Sequence, residues 1–390
     1  MILNQLYERV RQFRLRLRLL RRRARLVAER TPLVIVPSIL GTRLAHADGR
    51  LAWGSVRRLY SGAPALAEGE LRLAGLLRGF NIIPGLLQYD IFGGFLRFLT
   101  HVGGYVPGED LHVLEYDWRG GVPDAGAQLA QLLARLRGAG QERFDLVAVS
   151  TGGLVARWLV AQGNAPVRRI VYVGTPQRGS FSALWYLADG VQPAPWGKNF
   201  PGSAVARFQT SWDALPHRGE PVFVDQRGEP LPIDLYDPEM WNRLGLDPGV
   251  ADLPQRLEAA ARLHRLLEGV THPDSFAIGA RHLTTAGRCI VEDGRAKFPP
   301  CEPRPDDPRL RFAYEPGDSA VSERSLRALP ELDEHRVWFA APKEHRALPA
   351  DPEVHRLVLE ALLATERALA PTLPVRRPAT GLPVVGARCP

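Results

Sequence analysis

Three side chains in this sequence, Ser150, Asp318 and His345, are of the types that together carry nucleophilic acyl chemistry. A serine hydroxyl is a weak nucleophile until an imidazole takes its proton, and the imidazole works best when a carboxylate holds its other nitrogen. Serine, then carboxylate, then histidine is the chain order in which one strand-and-helix architecture sets these groups on successive loops. Ser150 gives the strongest signal. In Phe144-Asp-Leu-Val-Ala-Val-Ser150-Thr-Gly-Gly-Leu-Val-Ala-Arg-Trp158 an apolar run stops at the serine and a helical pattern starts within two residues. So sharp a strand-to-helix turn needs small neighbours, and Ala148, Gly152 and Gly153 supply them, alanine standing at the first glycine of the G-x-S-x-G elbow. The start of that helix would also favour a developing oxyanion.

The partners of Ser150 must emerge at the same sheet edge. His335 precedes the strand pattern of residues 336–340 and His355 falls within a helical one, whereas His345 follows the strand by a short loop containing Pro342. Asp318 sits in Tyr314-Glu-Pro-Gly-Asp-Ser-Ala-Val321, where Pro-Gly brings it to a tip. Its rivals Asp293, Asp306, Asp307 and Asp333 have solvated surroundings. An oxyanion hole here would use two backbone N–H groups, those of Thr151 and Ile39. The second is chosen from Pro37-Ser-Ile-Leu-Gly41 because proline has no N–H and Gly41 serves the turn.

The elements that must position these groups can be read from periodicity. Leu33–Val36 is a continuous apolar run suited to burial on both faces. Strand patterns follow at 111–116, 144–149, 168–173, 275–280 and 336–340, alternating with helical patterns at 126–136 and 352–369. This alternation predicts an α/β fold with a mostly parallel central sheet and helices on both faces. Residues 45–108 read as connections and short helices, helical around 91–100. The core is expected in two parts, 31–180 and 275–370. Between them, residues 181–274, with Trp185, Trp196, Trp212 and Trp241, are read as an inserted cap with helices of its own such as 253–267. Residues 371–390 read as a flexible proline-rich tail.

Charge narrows the partners. The net charge is +8, and residues 1–30 alone carry ten arginines against Glu8 and Glu29, so the rest is close to neutral. A nucleic-acid binder would spread its positive charge over a folded face, and none is expected here. The leader instead reads as a basic amphipathic segment suited to peripheral contact with a membrane. It lacks an apolar signal-peptide core, and no run is long enough for a transmembrane helix, so the expected location is cytoplasmic or at a membrane surface. Cys289, Cys301 and Cys389 cannot build a disulfide framework, and no histidine stands at metal-ligand spacing from them. No metal or cofactor is expected, and free thiols are. Cys289 and Cys301 flank a hairpin tip at Glu292-Asp-Gly294.

From about Pro32 to Leu363 the chain resembles the lecithin:cholesterol acyltransferase family, phospholipases and acyltransferases of the α/β-hydrolase fold. The resemblance rests on Val36-Pro-Ser-Ile-Leu-Gly41 against the family's V-P-G-x-x-G, on Tyr116-Asp-Trp-Arg119, and on Ser150-Thr-Gly-Gly153. Gly174-Thr-Pro-Gln-Arg-Gly-Ser180 and Gly317-Asp-Ser-Ala-Val321 add to it. It implies Ser150 as nucleophile, Asp318 as acid, His345 as base and Ile39 as oxyanion donor. Ser38 replaces a usual glycine, and Ser319-Ala320 a more polar pair. Asp117 and Arg119 are expected to pair locally in a structural role. The function so implied is a serine-dependent lipid esterase or acyltransferase acting through an acyl-serine, on a lipid or other ester. The alternative is a catalytically silent scaffold that binds lipid or protein at a membrane surface.

Overall fold

A computed structural model describes residues 30–364 except 62–65, 67–68, 84–86, 194–197, 301–305 and 307. The apolar runs pair into one six-stranded sheet: β1 (Leu33–Val36), β2 (Leu111–Val113), β3 (Phe144–Val149), β4 (Val167–Val173), β5 (Ser275–Gly279) and β6 (Val337–Phe339). Their spatial order is β6-β5-β4-β3-β1-β2, and every pairing is parallel. Each residue of β1, β3 and β5 is buried, as an unbroken apolar run requires of a strand covered on both sides.

Because side chains alternate along a strand, the sheet has two cores. Val34, Val36, Leu146 and Ala148 pack with helices α2 (Val122–Gly138) and α3 (Gly152–Ala161). Leu33, Ile35, Val147 and Val149 face the other way, toward α1 (Gly93–His101) and α6 (Pro352–Leu363). Helix α2 begins earlier than its periodicity suggests, with Pro123 and Asp124 in its first turn and Arg135 and Arg137 in its last, each suited to the helix dipole. Register sets the loops: Val36 pairs with Ala148 and Val149 with Val173. The Pro37 loop, Ser150 and Gly174 therefore leave the sheet side by side.

Residues 45–108 differ from expectation. Thr42–Ala45 pairs antiparallel with Leu51–Trp53 and with Arg72–Leu76, and Gly79–Ile83 forms a hairpin with Leu87–Asp90. Gly75 and Gly79, at φ 90° and 156°, interrupt the alternation that would announce these strands. Between 181 and 274 lie α4 (Phe181–Asp189), three short helices and α5 (Leu253–Leu267). The tryptophans here are packing residues: Trp212 and Trp241 are buried with ring centroids 5.1 Å apart, and Trp185 stacks on Phe298. Trp196 lies outside the described residues.

The hairpin Cys289–Glu292/Arg295–Lys297 turns through Asp293 and Gly294, both at positive φ. Burial pushes the Cys289 thiol up to about 12, so it is not a thiolate at neutral pH. Cys301, Cys389, the leader up to residue 29 and the 371–390 tail lie outside the described residues. Among those described, no helix is long and apolar enough to cross a membrane.

Candidate active site

Ser150 caps β3 with φ 52°, a left-handed backbone that a serine adopts only when its surroundings force it. The forcing contacts are local. Its N–H donates to the Val173 carbonyl at 2.8 Å, and its carbonyl accepts from Gly153 at 2.9 Å to open α3. A methyl at Gly152 would meet the Val36 carbonyl oxygen, and one at Gly153 would meet Thr175. These two glycines let α3 sit against β1 and β4, and the turn then has nowhere else to go.

His345 stands at the start of a 3-10 turn after β6, and Asp318 at the end of a short antiparallel strand, Tyr314–Gly317. The structure brings both to Ser150. His345 Nε2 lies 2.8 Å from Ser150 Oγ, and His345 Nδ1 2.8 Å from Asp318 Oδ2. A carboxylate only accepts, so Nδ1 carries the ring proton, which leaves the Nε2 lone pair for the serine hydroxyl. Asp318 is oriented by its second oxygen, which accepts from the N–H of Val321 at 2.7 Å and of Ala320 at 3.1 Å. The backbone closes the link, His345 N–H donating to the Asp318 carbonyl at 2.7 Å. Exposure falls away from the serine, from 21% for the His345 side chain to 2% for that of Asp318.

Burial opposes the charged imidazole, but the negative charge of Asp318 and its hydrogen bond more than offset this, so the pKa of His345 lies above the ordinary histidine value. The other candidates are elsewhere. His355 is buried in α6, bonded to the Pro349 carbonyl at 2.8 Å and pushed below its ordinary pKa by burial. His335 is exposed before β6.

Ile39 and Thr151 meet at the elbow, though not as two open donors. The Ile39 N–H donates to Thr151 Oγ1 at 2.8 Å. Tyr116, with its phenol raised by burial against an opposing hydrogen bond to Thr151, donates to the Pro37 carbonyl at 2.8 Å. Leu40 follows at φ 65° in a turn closed by Gly41 N–H on Ser38, with the Trp53 indole holding its carbonyl at 2.7 Å. Tyr116 and Trp118 thus tie the Pro37–Gly41 loop to the segment that follows β2, Trp118 Nε1 reaching the Thr42 carbonyl at 2.9 Å. Asp117 and Arg119 pair with each other at 2.6 Å.

Other positioning residues gave no chemical signal in the sequence. A side chain at Gly174 would stand 3.1 Å from the imidazole, so glycine is needed for His345 to lie where it does. Ser180 and Ser182 both donate to the Ala320 carbonyl, binding the start of α4 to the Asp318 turn. The Gly174–Ser180 motif was visible as a pattern; its contact with a turn far along the chain was not. Ser150 opens on a cavity of about 230 Å³ walled by Trp53, Leu77, Phe80, Tyr89, Ile91 and Tyr186, apolar for most of its length.

Comparison with known proteins bears on the fold that carries these residues. Residues 80–218 match the family model described as lecithin:cholesterol acyltransferase, a span that includes Ser150 but not Ile39, Asp318 or His345. An uncharacterized protein of Saccharomyces cerevisiae is 28% identical over 166 residues, 41% of this chain and 24% of the yeast protein, so the match spans about a quarter of that relative's length. Among solved structures, a chain of the Tle4–Tli4 complex superposes with a TM-score of 0.59 at 14% identity, covering 85% of this chain and 98% of that one. The mature form of a Bacillus licheniformis lipase gives 0.38 at 14% identity, over 86% and 93%. The structural likeness is one of fold, the α/β-hydrolase fold.

Proposed function

We propose that this chain, a lecithin:cholesterol acyltransferase-like member of the α/β-hydrolase superfamily, is a serine-dependent lipid esterase or O-acyltransferase working through an acyl-serine. The reading is carried by one observation: the Ser150–His345 contact at 2.8 Å stands at the mouth of an apolar cavity. As Oγ attacks an ester carbonyl, Nε2 takes its proton, and Asp318 stabilises the imidazolium. The oxyanion rests on the N–H groups of Thr151 and Ile39. For the latter to serve, it exchanges the Thr151 hydroxyl for a charged oxygen, the stronger acceptor. Collapse breaks the ester bond, and the leaving alcohol takes the proton from Nε2. Water or a second alcohol then gives its proton to Nε2, takes the acyl group, and Ser150 regains its hydrogen.

The apolar walls favour a hydrocarbon chain, each buried methylene contributing about 0.8 kcal/mol. Residues 181–274 act as the cap, α4 bringing Tyr186 to the wall. A silent scaffold is favoured by one feature, the Ile39 N–H already bonded in the resting protein. A fluorophosphonate probe separates the two readings. The enzyme labels at Ser150, and Ser150→Ala loses the label together with roughly four to six orders of magnitude of turnover. An unlabelled wild-type protein overturns the enzymatic reading. A panel of esters differing in acyl length is expected to favour long chains, and preference for short soluble ones would remove lipid as the substrate class.

A further inference from the structure

A second cavity, of about 660 Å³, lies back to back with the ester pocket. Leu76 faces it and Leu77 the ester pocket, as neighbours in an extended chain must, and Phe80 borders both. Its walls are mixed: Val56, Leu76, Phe80, Leu96 and Val113 give it an apolar part, and polar and charged side chains line the rest. Among these is Arg43.

The fold makes room for this arginine in an unusual way. Its stem runs between two glycines, Gly54 and Gly75, at φ 100° and 90°. A methyl at Gly54 would strike Arg43 Cγ, and one at Gly75 would stand 3.1 Å from Nη2. Having been so seated, the guanidinium has no counterpart in the protein. Its Nε is buried without a hydrogen-bond partner, and among the described residues Arg43 makes no ion pair. Other part-buried arginines differ: Arg119, Arg168 and Arg169 are each held by an aspartate. A buried Nε–H left without an acceptor is costly unless something outside the chain completes it.

The other charged groups lining the cavity are Arg78, exposed at its rim, and Glu115, exposed and not paired with Arg43. Two guanidinium groups against one carboxylate leave one net positive charge. Ser55 and Asn81 add neutral hydrogen-bonding groups. We propose that this cavity binds a phosphate group attached to an apolar body, the guanidinium of Arg43 taking the phosphate and the apolar walls the rest. A phosphate monoester carries up to two negative charges and three free oxygens, enough to engage both arginines and to exceed the single charge of a carboxylate. Its source is either a lipid headgroup or a soluble phosphate ester.

The site is independent of the ester reading, so the test is made on Ser150→Ala protein, in which turnover cannot intervene. Inorganic phosphate is titrated by calorimetry into this protein and into Ser150→Ala carrying Arg43→Met, which keeps the stem between the glycines and removes the charge. Binding is expected in the first and weaker by about tenfold or more in the second. Arg78→Ser, at an exposed position, is a second arm in case Arg43→Met does not fold, and is expected to weaken binding severalfold. Flotation with phosphatidylcholine vesicles carrying either phosphatidic acid or a fatty acid of equal charge separates the sources. Arg43-dependent capture by the phosphatidic acid vesicles alone assigns a lipid headgroup, whereas phosphate binding without capture assigns a soluble ester. Phosphate affinity that is absent, or unchanged by both substitutions, overturns the site.

Discussion

The elbow and the acid turn each hold a serine in the left-handed region, Ser150 at φ 52° and Ser319 at φ 79°, and they do so by different means. The elbow is held by backbone. Its strand is buried throughout, Gly152 lies against the Val36 carbonyl, and no polar side chain is needed to keep the turn. The acid turn adds side chains to one backbone bond, Asp318 N–H to the Val321 carbonyl at 3.1 Å: Ser319 N–H donates to Thr285 Oγ1 at 3.0 Å, and the next carbonyl accepts from Ser180 and Ser182. Strain of about 1–3 kcal/mol per such residue is thus met by close packing in one place and by hydrogen bonds of about 0.5–1.5 kcal/mol each in the other. The Ser150 hydroxyl is fixed all-or-none with the sheet. The carboxylate's aim can be altered one bond at a time.

This contrast can be broken at several points. The largest effect is expected from Asp318→Asn, which leaves the fold but removes the acceptor that sets the tautomer of His345, and should cost about four orders of magnitude in kcat. It should also move the pH profile. Because His345 must be neutral to act, kcat/KM rises with pH through its pKa, which in the intact protein lies above the ordinary value of about 6.5. Without the charge of Asp318 the opposing effects of burial and of the Arg346 charge remain, so the acid limb shifts to lower pH; a limb that stays put would show that Asp318 does not set it.

Next in size is Gly152→Ala, where the new methyl meets a carbonyl that cannot give way. A loss of about 1–3 kcal/mol is expected from urea denaturation. Ser182→Ala is the smallest. Removing one of two donors to Ala320 should cost about 0.5–1.5 kcal/mol and lower kcat a few-fold with little change in KM. If Gly152→Ala is mild and Ser182→Ala severe, the distinction between the two turns is lost.

The same contrast explains how much could be read in advance. Ser150 is announced by its own neighbours, since strand, serine and small residues are contiguous. His345 could be proposed because it follows a strand signal and a short loop, and Asp318 because a Pro-Gly turn signal precedes it. The six core strands were legible from continuous apolar runs. Ser180 and Ser182 were not, because what they do depends on a carbonyl some 140 residues away. The Thr151 hydroxyl escaped for a related reason: the backbone donor it occupies leaves no mark on residue choice. Strands such as Arg72–Leu76 are short, mixed in burial and broken by glycine, so their period fades into the loops around them. The tryptophans of 181–274 marked the inserted segment, but the indoles of Trp212 and Trp241 are spent on the Ala206 and Leu235 carbonyls, and it is Trp53 that lines the cavity at Ser150.

Ser150 and His345 are separated by 195 positions, with three further sheet strands, β4, β5 and β6, between them. During synthesis the hydroxyl leaves the ribosome long before its base exists, and non-local parallel pairing is slow to form. A nascent chain, or one cut short before β6, therefore carries Ser150 without the imidazole that meets it, and the contact arrives only with the last strand of the sheet.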